Sequence, residues 1–368
     1  MPAHSKTYRN PVNVRFGVST LNELPELLKD RPAVVVTFPE AEKTGLLQRI
    51  QSILGKNIRG VVSDVEPNPS VSWIESHYAD FWKNYQDCVV VAIGGGSVMD
   101  TAKLLLTMPP SGNYIDTLTE LRAGRKPPVA KSLPLIAVPT TAGTGSEVTP
   151  WATLWDRSAS TPRKLSLHLD ALWAESALVD PELTLTLPLS ITRASALDAL
   201  SHALESIWNV NANPVSDALA IEAAHGIITH LPSVLSDSKN IIHRTEIARS
   251  SLLAGLAFSN TKTALAHSIS YAMTLRYGVV HGIASSFPLP LVWSLAKGIS
   301  VERDAVLAKI FGSSETDGPR ALQYFLESVD VSCDFSSYGA NQSEENEILR
   351  LALEGERGQN FIRRHIHQ

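Results

Sequence analysis

Cysteine is scarce in this chain: Cys88 and Cys333 are the only two among 368 residues. A pair so widely separated builds neither a disulfide framework nor a thiolate cluster, so any metal must be held by nitrogen and oxygen. Long hydrophobic runs are also missing. Stretches such as Cys88 to Ile93 and Leu133 to Val138 are strand-sized, far short of the roughly 20 residues of a membrane-spanning helix, and no membrane partner is expected. Positive charge is not in excess, because 32 Lys and Arg against 37 Asp and Glu leave a net charge of −5. No cationic field exists to draw the chain onto nucleic acid. The stretch from Met1 to Asn10 has no apolar core behind its basic residues, so no secretory signal is expected there and a cytoplasmic location is. What remains, 44% hydrophobic and 19% charged, is an ordinary globular composition whose length predicts two domains.

The first half alternates short β-branched runs with helix-period stretches, the pattern of a parallel sheet with crossover helices. Strands are expected at Ala33 to Thr37, Gly60 to Val65, Cys88 to Ile93 and Leu133 to Val138, followed by a hairpin from Thr149 to about Leu169. Each strand ends in turn chemistry, and the loops at the carboxyl ends of such a sheet form one ligand-binding rim. After Pro188 the texture becomes rich in Ala and Leu with 3.6-residue periodicity. Helices are expected over Ile191 to Trp208, Ser216 to Leu231, Arg244 to Phe258, Thr261 to Thr274 and Ile283 to Lys297, with breaks at Asn209 to Pro214, Pro232, Ser259-Asn260 and Gly278 to Gly282. The predicted organisation is an α/β dinucleotide-binding domain over 1–188 and an all-α domain over 189–368, with the chemistry in a cleft between them.

Gly94-Gly95-Gly96-Ser97 follows a strand and precedes a helix. Glycines there let backbone N–H groups approach a pyrophosphate, and the helix N-terminus adds its positive end. A tight turn alone could account for one such loop. The next strand, however, ends in Thr140, Thr141, Thr144 and Ser146 with two glycines, more hydroxyl donors than a turn requires. Two such loops on one rim point to a dinucleotide.

In the helical half, Asp198 and His202 stand at i and i+4 and share one helix face. An ordinary surface pair would show the same spacing, but this segment is strongly apolar, which implies a buried, partnered carboxylate. His267 lies in another apolar stretch and His281 precedes Gly282 at the start of the next. Three neutral imidazoles and one carboxylate suit Zn²⁺ or Fe²⁺ and leave positions open for a substrate oxygen.

These motifs, in order through about residues 10 to 300, resemble the iron-containing (group III) alcohol dehydrogenase family: Gly94 to Ser97 with Asp100 and Lys103, Pro139 to Glu147, Asp198 with His202 and Ala203-Leu204-Glu205, and two histidines fourteen residues apart. The resemblance implies a dehydroquinate synthase-like fold and a small-molecule alcohol or aldehyde substrate. It also implies NADH or NADPH and a divalent metal, Fe²⁺ first and Zn²⁺ second, commonly in a homodimer. It makes Asp198, His202, His267 and His281 the metal ligands, Gly94, Gly95, Gly96, Ser97 and Asp100 part of the cofactor site, and Thr140, Thr141, Ser146 and Lys164 nicotinamide-side contacts. Where many members carry a ribose-binding acid after the first strand this chain has Phe38, which leaves NADPH open. Where several carry a further histidine one turn after the third ligand it has Tyr271, whose hydroxyl could face the substrate.

A narrower resemblance, in Thr149 to Asp156, Ile207 to Asp217, Phe258 to Thr263 and Gly355 to Phe361, is to the phosphonate-metabolism branch, the phosphonoacetaldehyde reductases. It implies reduction of phosphonoacetaldehyde to 2-hydroxyethylphosphonate. Lys262, Arg276 and Asn209, with Asn211 and Asn213, are the expected holders of the phosphonate, Lys262 foremost. A generic short-chain alcohol dehydrogenase is the alternative, and a non-redox dehydroquinate synthase-like lyase a more distant one.

Overall fold

The computed structural model describes residues 6–158, 163–311 and 317–363. The chain divides into two compact units: one comprises 11–141 and 146–184, the other 185–363 together with Lys6 to Asn10 and the four residues 142–145. The division falls four residues before the boundary expected at 188/189, and the helical unit takes in two short segments from the first half.

The first unit is built on a parallel six-stranded sheet. In chain order its strands are β1 (Asn13–Phe16), β2 (Ala33–Val36), β3 (Ile58–Val62), β4 (Val89–Gly94), β7 (Leu135–Pro139) and β10 (Ser176–Val179), in the spatial order β1-β10-β7-β4-β2-β3. Between them, β5 (Thr107–Met108) pairs with β6 (Lys131–Ser132), and β8 (Trp151–Asp156) with β9 (Arg163–His168), both antiparallel. The last pair is the expected hairpin; its turn at 159–162 lies outside the described residues. The four expected strands form, with ends that differ from expectation by up to three residues. Two strands of the six-stranded sheet were not expected, β1 because Asn13-Val14-Arg15-Phe16 is half-exposed, and β10 because Ser176-Ala177-Leu178-Val179 is short and has a single β-branched residue.

Both sheet faces are covered, which is why the central strands read as unbroken apolar runs rather than alternating ones. Val34, Val36, Val90 and Ala92 enter one hydrophobic cluster while Ala33, Val35, Val89, Val91 and Ile93 enter the other. The chain reverses direction across the sheet at β2 and β4, and the carboxyl ends of β4 and β7 are neighbours through the Gly94–Pro139 register. Thr140 N–H donates to the Gly94 carbonyl at 2.9 Å, so the glycine loop and the threonine loop start side by side.

In the second unit α2 (Leu189–Ile207), α3 (Pro214–Ser236) and α4 (Ile241–Thr261) pack on one another, followed by α5 (Leu265–Tyr277) and the short α6 (His281–Ser286). Two expected breaks do not occur. Pro232 lies inside α3, one turn before its end, where its missing N–H costs one hydrogen bond and the helix runs only to Ser236. Ser259-Asn260 is absorbed into α4, since Ser259 Oγ bonds the Leu256 carbonyl at 2.7 Å and the helix continues to Thr261. Conversely, the single helix expected over Ile283 to Lys297 splits at Phe287-Pro288, and a new helix begins at Leu289. Helix α3 is long and apolar enough by length and composition to cross a membrane, which counting uninterrupted apolar runs had not registered.

Candidate active site

The candidate dinucleotide-binding residues of the first unit begin at β4. Gly94 ends the strand, Gly95 caps α1 (Gly96–Leu105), and the chain passes from fully buried to partly exposed at Gly95, Gly96 and Ser97. A Cβ on Gly94 would stand 2.5 Å from Val98 Cγ2, so only glycine lets α1 seat against its own strand. A Cβ on Gly95 would stand 3.2 Å from Thr141 Cγ2 and 3.4 Å from its hydroxyl, filling the concavity between the two loops. That concavity, at the N-terminus of a ten-residue helix, fits a pyrophosphate.

Asp100 and Ser146 are engaged with each other. Ser146 Oγ donates to Asp100 Oδ1 at 2.9 Å, and Asp100 Oδ2 accepts from Thr153 N–H at 3.0 Å. Lys103, with no exposed surface, donates to the Ser146, Thr149 and Trp151 carbonyls at 2.6, 2.8 and 3.0 Å. Burial pushes its ammonium down to about 8. These bonds pin the threonine loop to α1, a positioning task that the sequence reading did not assign. Ser97 Oγ accepts from Asn68 N–H at 3.1 Å, and the Lys164 ammonium lies 5.7 Å over the Trp155 ring across the β8–β9 hairpin.

The candidate metal-binding residues lie in the helical unit. Asp198 and His202 come from α2, His267 from α5 and His281 from the start of α6. The Nε2 atoms of His267, His281 and His202 stand 3.4, 3.7 and 3.9 Å from the same oxygen, Asp198 Oδ1. Ligands on bonds of about 2.1 Å to one tetrahedral ion stand roughly 3.4 Å apart. Ligand atoms of Asp198, His267 and His281 all lie within 4.8 Å of one another, the tightest grouping. His202 sits slightly wider, its ring stacked against Phe258 at 4.0 Å and His267 at 4.7 Å.

The ring orientations are set from behind. His202 Nδ1–H donates to the Gly143 carbonyl at 3.2 Å, and His267 Nδ1–H to Glu205 Oε2 at 2.6 Å. Ser270 gives its hydroxyl proton to the His267 carbonyl at 2.8 Å, so its oxygen accepts from His281 Nδ1–H at 3.5 Å. Each ring thereby keeps a lone pair on Nε2, facing Asp198. His267 Nε2 is buried with no hydrogen-bond partner, a costly state for an imidazole unless an electron-pair acceptor takes the place of a proton donor. The donor set of nitrogen and carboxylate oxygen fits Fe²⁺ or Zn²⁺.

Glu205 is the residue that sequence reasoning passed over, although it stands in the quoted motif. Besides His267 it accepts from the backbone N–H groups of Ala264, Ala266 and His267 at 2.9, 2.5 and 3.2 Å. The start of α5 has no side-chain cap of its own, and a carboxylate reaching over from α2 supplies it. Burial opposes the charge on Asp198, but the facing imidazoles outweigh it and hold the carboxyl well below its usual range. Burial pushes His202 down to about 4, so that imidazole is neutral near pH 7. For His267 burial, the largest single influence, also favours the neutral ring, but Glu205 and Asp198 together outweigh it and raise its pKa.

Four of the five expected phosphonate holders have other partners. Asn209 Nδ2 donates to the Lys262 carbonyl at 3.1 Å and its Oδ1 accepts from Asn211 N–H at 2.9 Å. Asn211 Nδ2 donates to the Thr261 carbonyl at 3.2 Å, and Asn213 caps α3. Arg276 is exposed and pairs with Glu347 at 3.7 Å. The Lys262 side chain is exposed, and its backbone holds φ 64 and ψ 174, a conformation natural to glycine alone. Tyr271, four residues after His267, is half-buried; burial raises its phenol pKa, and Arg357 lies 5.4 Å over its ring.

The sequence matches the model of the iron-containing alcohol dehydrogenase family over residues 11–181 and that of the C-terminal part of the Fe-containing alcohol dehydrogenase family over 192–366. It is 31% identical over 356 residues to long-chain-alcohol dehydrogenase 1 of Geobacillus thermodenitrificans, covering 93% of this chain and 88% of that protein. It is 28% identical to the sulfoacetaldehyde reductase of Bilophila wadsworthia, covering 86% of this chain and 84% of that one. Among solved structures, sulfoacetaldehyde reductase from Bifidobacterium kashiwanohense in complex with NAD⁺ matches with a TM-score of 0.88 at 28% identity, covering 98% of this chain and 95% of that chain. An iron-containing alcohol dehydrogenase from Thermotoga maritima matches with a TM-score of 0.78 at 29% identity, covering 97% and 95%. With both halves of the chain matched, and with nitrogen and oxygen donors converging in the helical unit, the protein belongs to the iron-containing alcohol dehydrogenase family and is an oxidoreductase acting on CH–OH groups.

Proposed function

We propose that this enzyme reduces phosphonoacetaldehyde to 2-hydroxyethylphosphonate, taking hydride from NADH or NADPH and a proton from solvent, with Fe²⁺ or Zn²⁺ held by Asp198, His202, His267 and His281. The observation that carries the chemistry is the convergence of three imidazole Nε2 atoms on one ionised carboxylate oxygen, one of them buried without a hydrogen bond. A divalent ion bound there supplies Lewis acidity toward the carbonyl oxygen, which favours the developing alkoxide.

The chain's own residues do the remaining work. Glu205 fixes the His267 tautomer through its 2.6 Å bond, and Gly143 fixes that of His202. Gly95 to Ser97 present backbone N–H groups to the pyrophosphate, while the Asp100–Ser146–Lys103 network holds Thr140 and Thr141 in place for the nicotinamide end. The phosphonate is supported by likeness to two proteins named as sulfoacetaldehyde reductases, whose substrate is also a short aldehyde with an anionic tetrahedral head. The reading includes a cytoplasmic homodimer, as the family resemblance implies.

The test is oxidation of NADH and of NADPH by the metal-loaded enzyme with phosphonoacetaldehyde, sulfoacetaldehyde and propanal. Preference for phosphonoacetaldehyde is expected. Equal kcat/KM for all three would leave the generic alcohol dehydrogenase, and cofactor left unoxidised with every aldehyde would exclude reduction altogether.

A further inference from the structure

The residues expected from sequence to hold the anion are occupied elsewhere or exposed, so an anionic aldehyde needs another partner. A two-carbon substrate carries its anion on the carbon next to the carbonyl, so that partner must stand within about one helical turn of the metal ligands. Thr263 and Tyr271 lie four residues before and four after His267, and one side chain touches both. The Arg357 guanidinium donates to Thr263 Oγ1 and lies over the Tyr271 ring. It is half-buried, and among the described residues no carboxylate pairs with it. The contrast with Arg303 is direct, since Arg303 bonds Asp217 at 2.6 Å and Glu302 at 2.7 Å.

The segment carrying Arg357 is fixed in place. Asn360 Nδ2 donates to the Thr263 carbonyl and Val210 N–H to the Asn360 carbonyl, both at 2.8 Å. Phe361 is buried, and a Cβ on Gly358 would run into the Ala352 carbonyl. A guanidinium on so rigid a support loses little freedom when an oxyanion docks, and its planar fork matches two oxygens of a tetrahedral head.

We propose that Arg357, held between Thr263 and Tyr271 beside the His267 helix, recognises the tetrahedral oxyanion head of the aldehyde substrate, whether phosphonate or sulfonate. This rests on the anionic-aldehyde reading above and moves the specificity determinant from Lys262 to the C-terminal segment. The stacked Tyr271 ring orients the fork and shields one face from water, and Thr263 fixes its rotation.

The experiment compares kcat/KM for phosphonoacetaldehyde, sulfoacetaldehyde and propanal in the parent enzyme, Arg357→Met, Arg357→Lys and Lys262→Ala. Methylphosphonate and methanesulfonate serve as competitive inhibitors that report head-group binding without turnover. In Arg357→Met the ratio of anionic to neutral kcat/KM should fall about 10- to 100-fold, chiefly through KM, with a matching rise in the Ki of whichever inhibitor shares the preferred head. Arg357→Lys should restore part of the ratio. A parent that prefers an anionic aldehyde and an Arg357→Met that keeps the preference would overturn the role of Arg357 and leave the substrate reading standing. The same follows if the ratio falls in Lys262→Ala instead. A parent without preference removes both the substrate reading and this role. Should Arg357→Met lose all activity, Arg357→Lys decides, because an unchanged ratio there would reduce Arg357 to a structural tie.

Discussion

His267 and Glu205 are joined by a 2.6 Å bond in which Nδ1–H donates to Oε2, and the same carboxylate takes three backbone N–H groups at the start of the helix that carries His267. One side chain from α2 therefore sets the tautomer of a ligand, its ring orientation and the position of its helix. Glu205→Gln keeps the shape but gives up the charge and one acceptor. Metal affinity, measured by chelator competition, should fall about 10- to 100-fold while the folded state persists. An unchanged affinity would show that the carboxylate serves only as a helix cap.

Among the proposed ligands His267 is almost wholly buried and His281 about 39% exposed in its side chain. His267→Ala and His281→Ala should each lose bound metal on elemental analysis and cost about 3 kcal/mol or more of transition-state stabilisation in kcat/KM. Parent-like metal content in either variant would remove that residue from the ligand set.

At Gly95 a side chain would enter the space facing Thr141, 3.2 Å from its methyl group. Gly95→Val should weaken NADH and NADPH binding roughly tenfold or more, the equivalent of one lost charge-assisted hydrogen bond. Fluorescence titration gives the dissociation constants. Values equal to the parent's would place the pyrophosphate elsewhere.

Burial pushes the Glu147 carboxyl up to about 7, so the folded protein holds that proton more tightly than the unfolded chain. The associated stability is fully present below the unfolded value near 4.5 and declines as pH rises through about 7, by up to about 3 kcal/mol. Glu147→Gln cannot titrate. In urea unfolding it should therefore gain ~1–3 kcal/mol on the parent between pH 5 and pH 7.5, and parallel stability curves would contradict the buried neutral carboxyl.

Lys262 ends α4 at φ 64 and ψ 174, with its carbonyl accepting from Asn209 Nδ2 and Thr261 Oγ1 at 3.1 Å each. Lys262→Gly relieves that strain and Lys262→Ala does not. The glycine variant should be more stable than the alanine variant by about 1 kcal/mol in thermal or denaturant unfolding. A less stable glycine variant would mean that the backbone relaxes without cost.

Periodicity and turn chemistry, both local, were enough to place β2, β3, β4 and β7, the hairpin and the helices that carry the proposed ligands. The motif spacing also singled out Asp198, His202, His267 and His281, whose side chains the structure brings together, because a buried acid and three histidines in apolar stretches stand out against their neighbours. The edge strand β1 gave no such signal, since a four-residue half-exposed strand is defined by the partner it pairs with. The same holds for Pro232 and Ser259-Asn260, whose breaking tendency was overridden by packing and by a serine bonding back to its own helix. Glu205 as a cap for α5, Lys103 as the tie for the threonine loop and Arg357 over Tyr271 all join positions dozens of residues apart. Sequence alone thus determined which elements form and which residues have the chemistry of a metal site. Only the tertiary structure decided which lone pair each imidazole presents and which cations lack an acid partner among the described residues, because a buried polar group takes its meaning from the atoms that folding brings within hydrogen-bond reach.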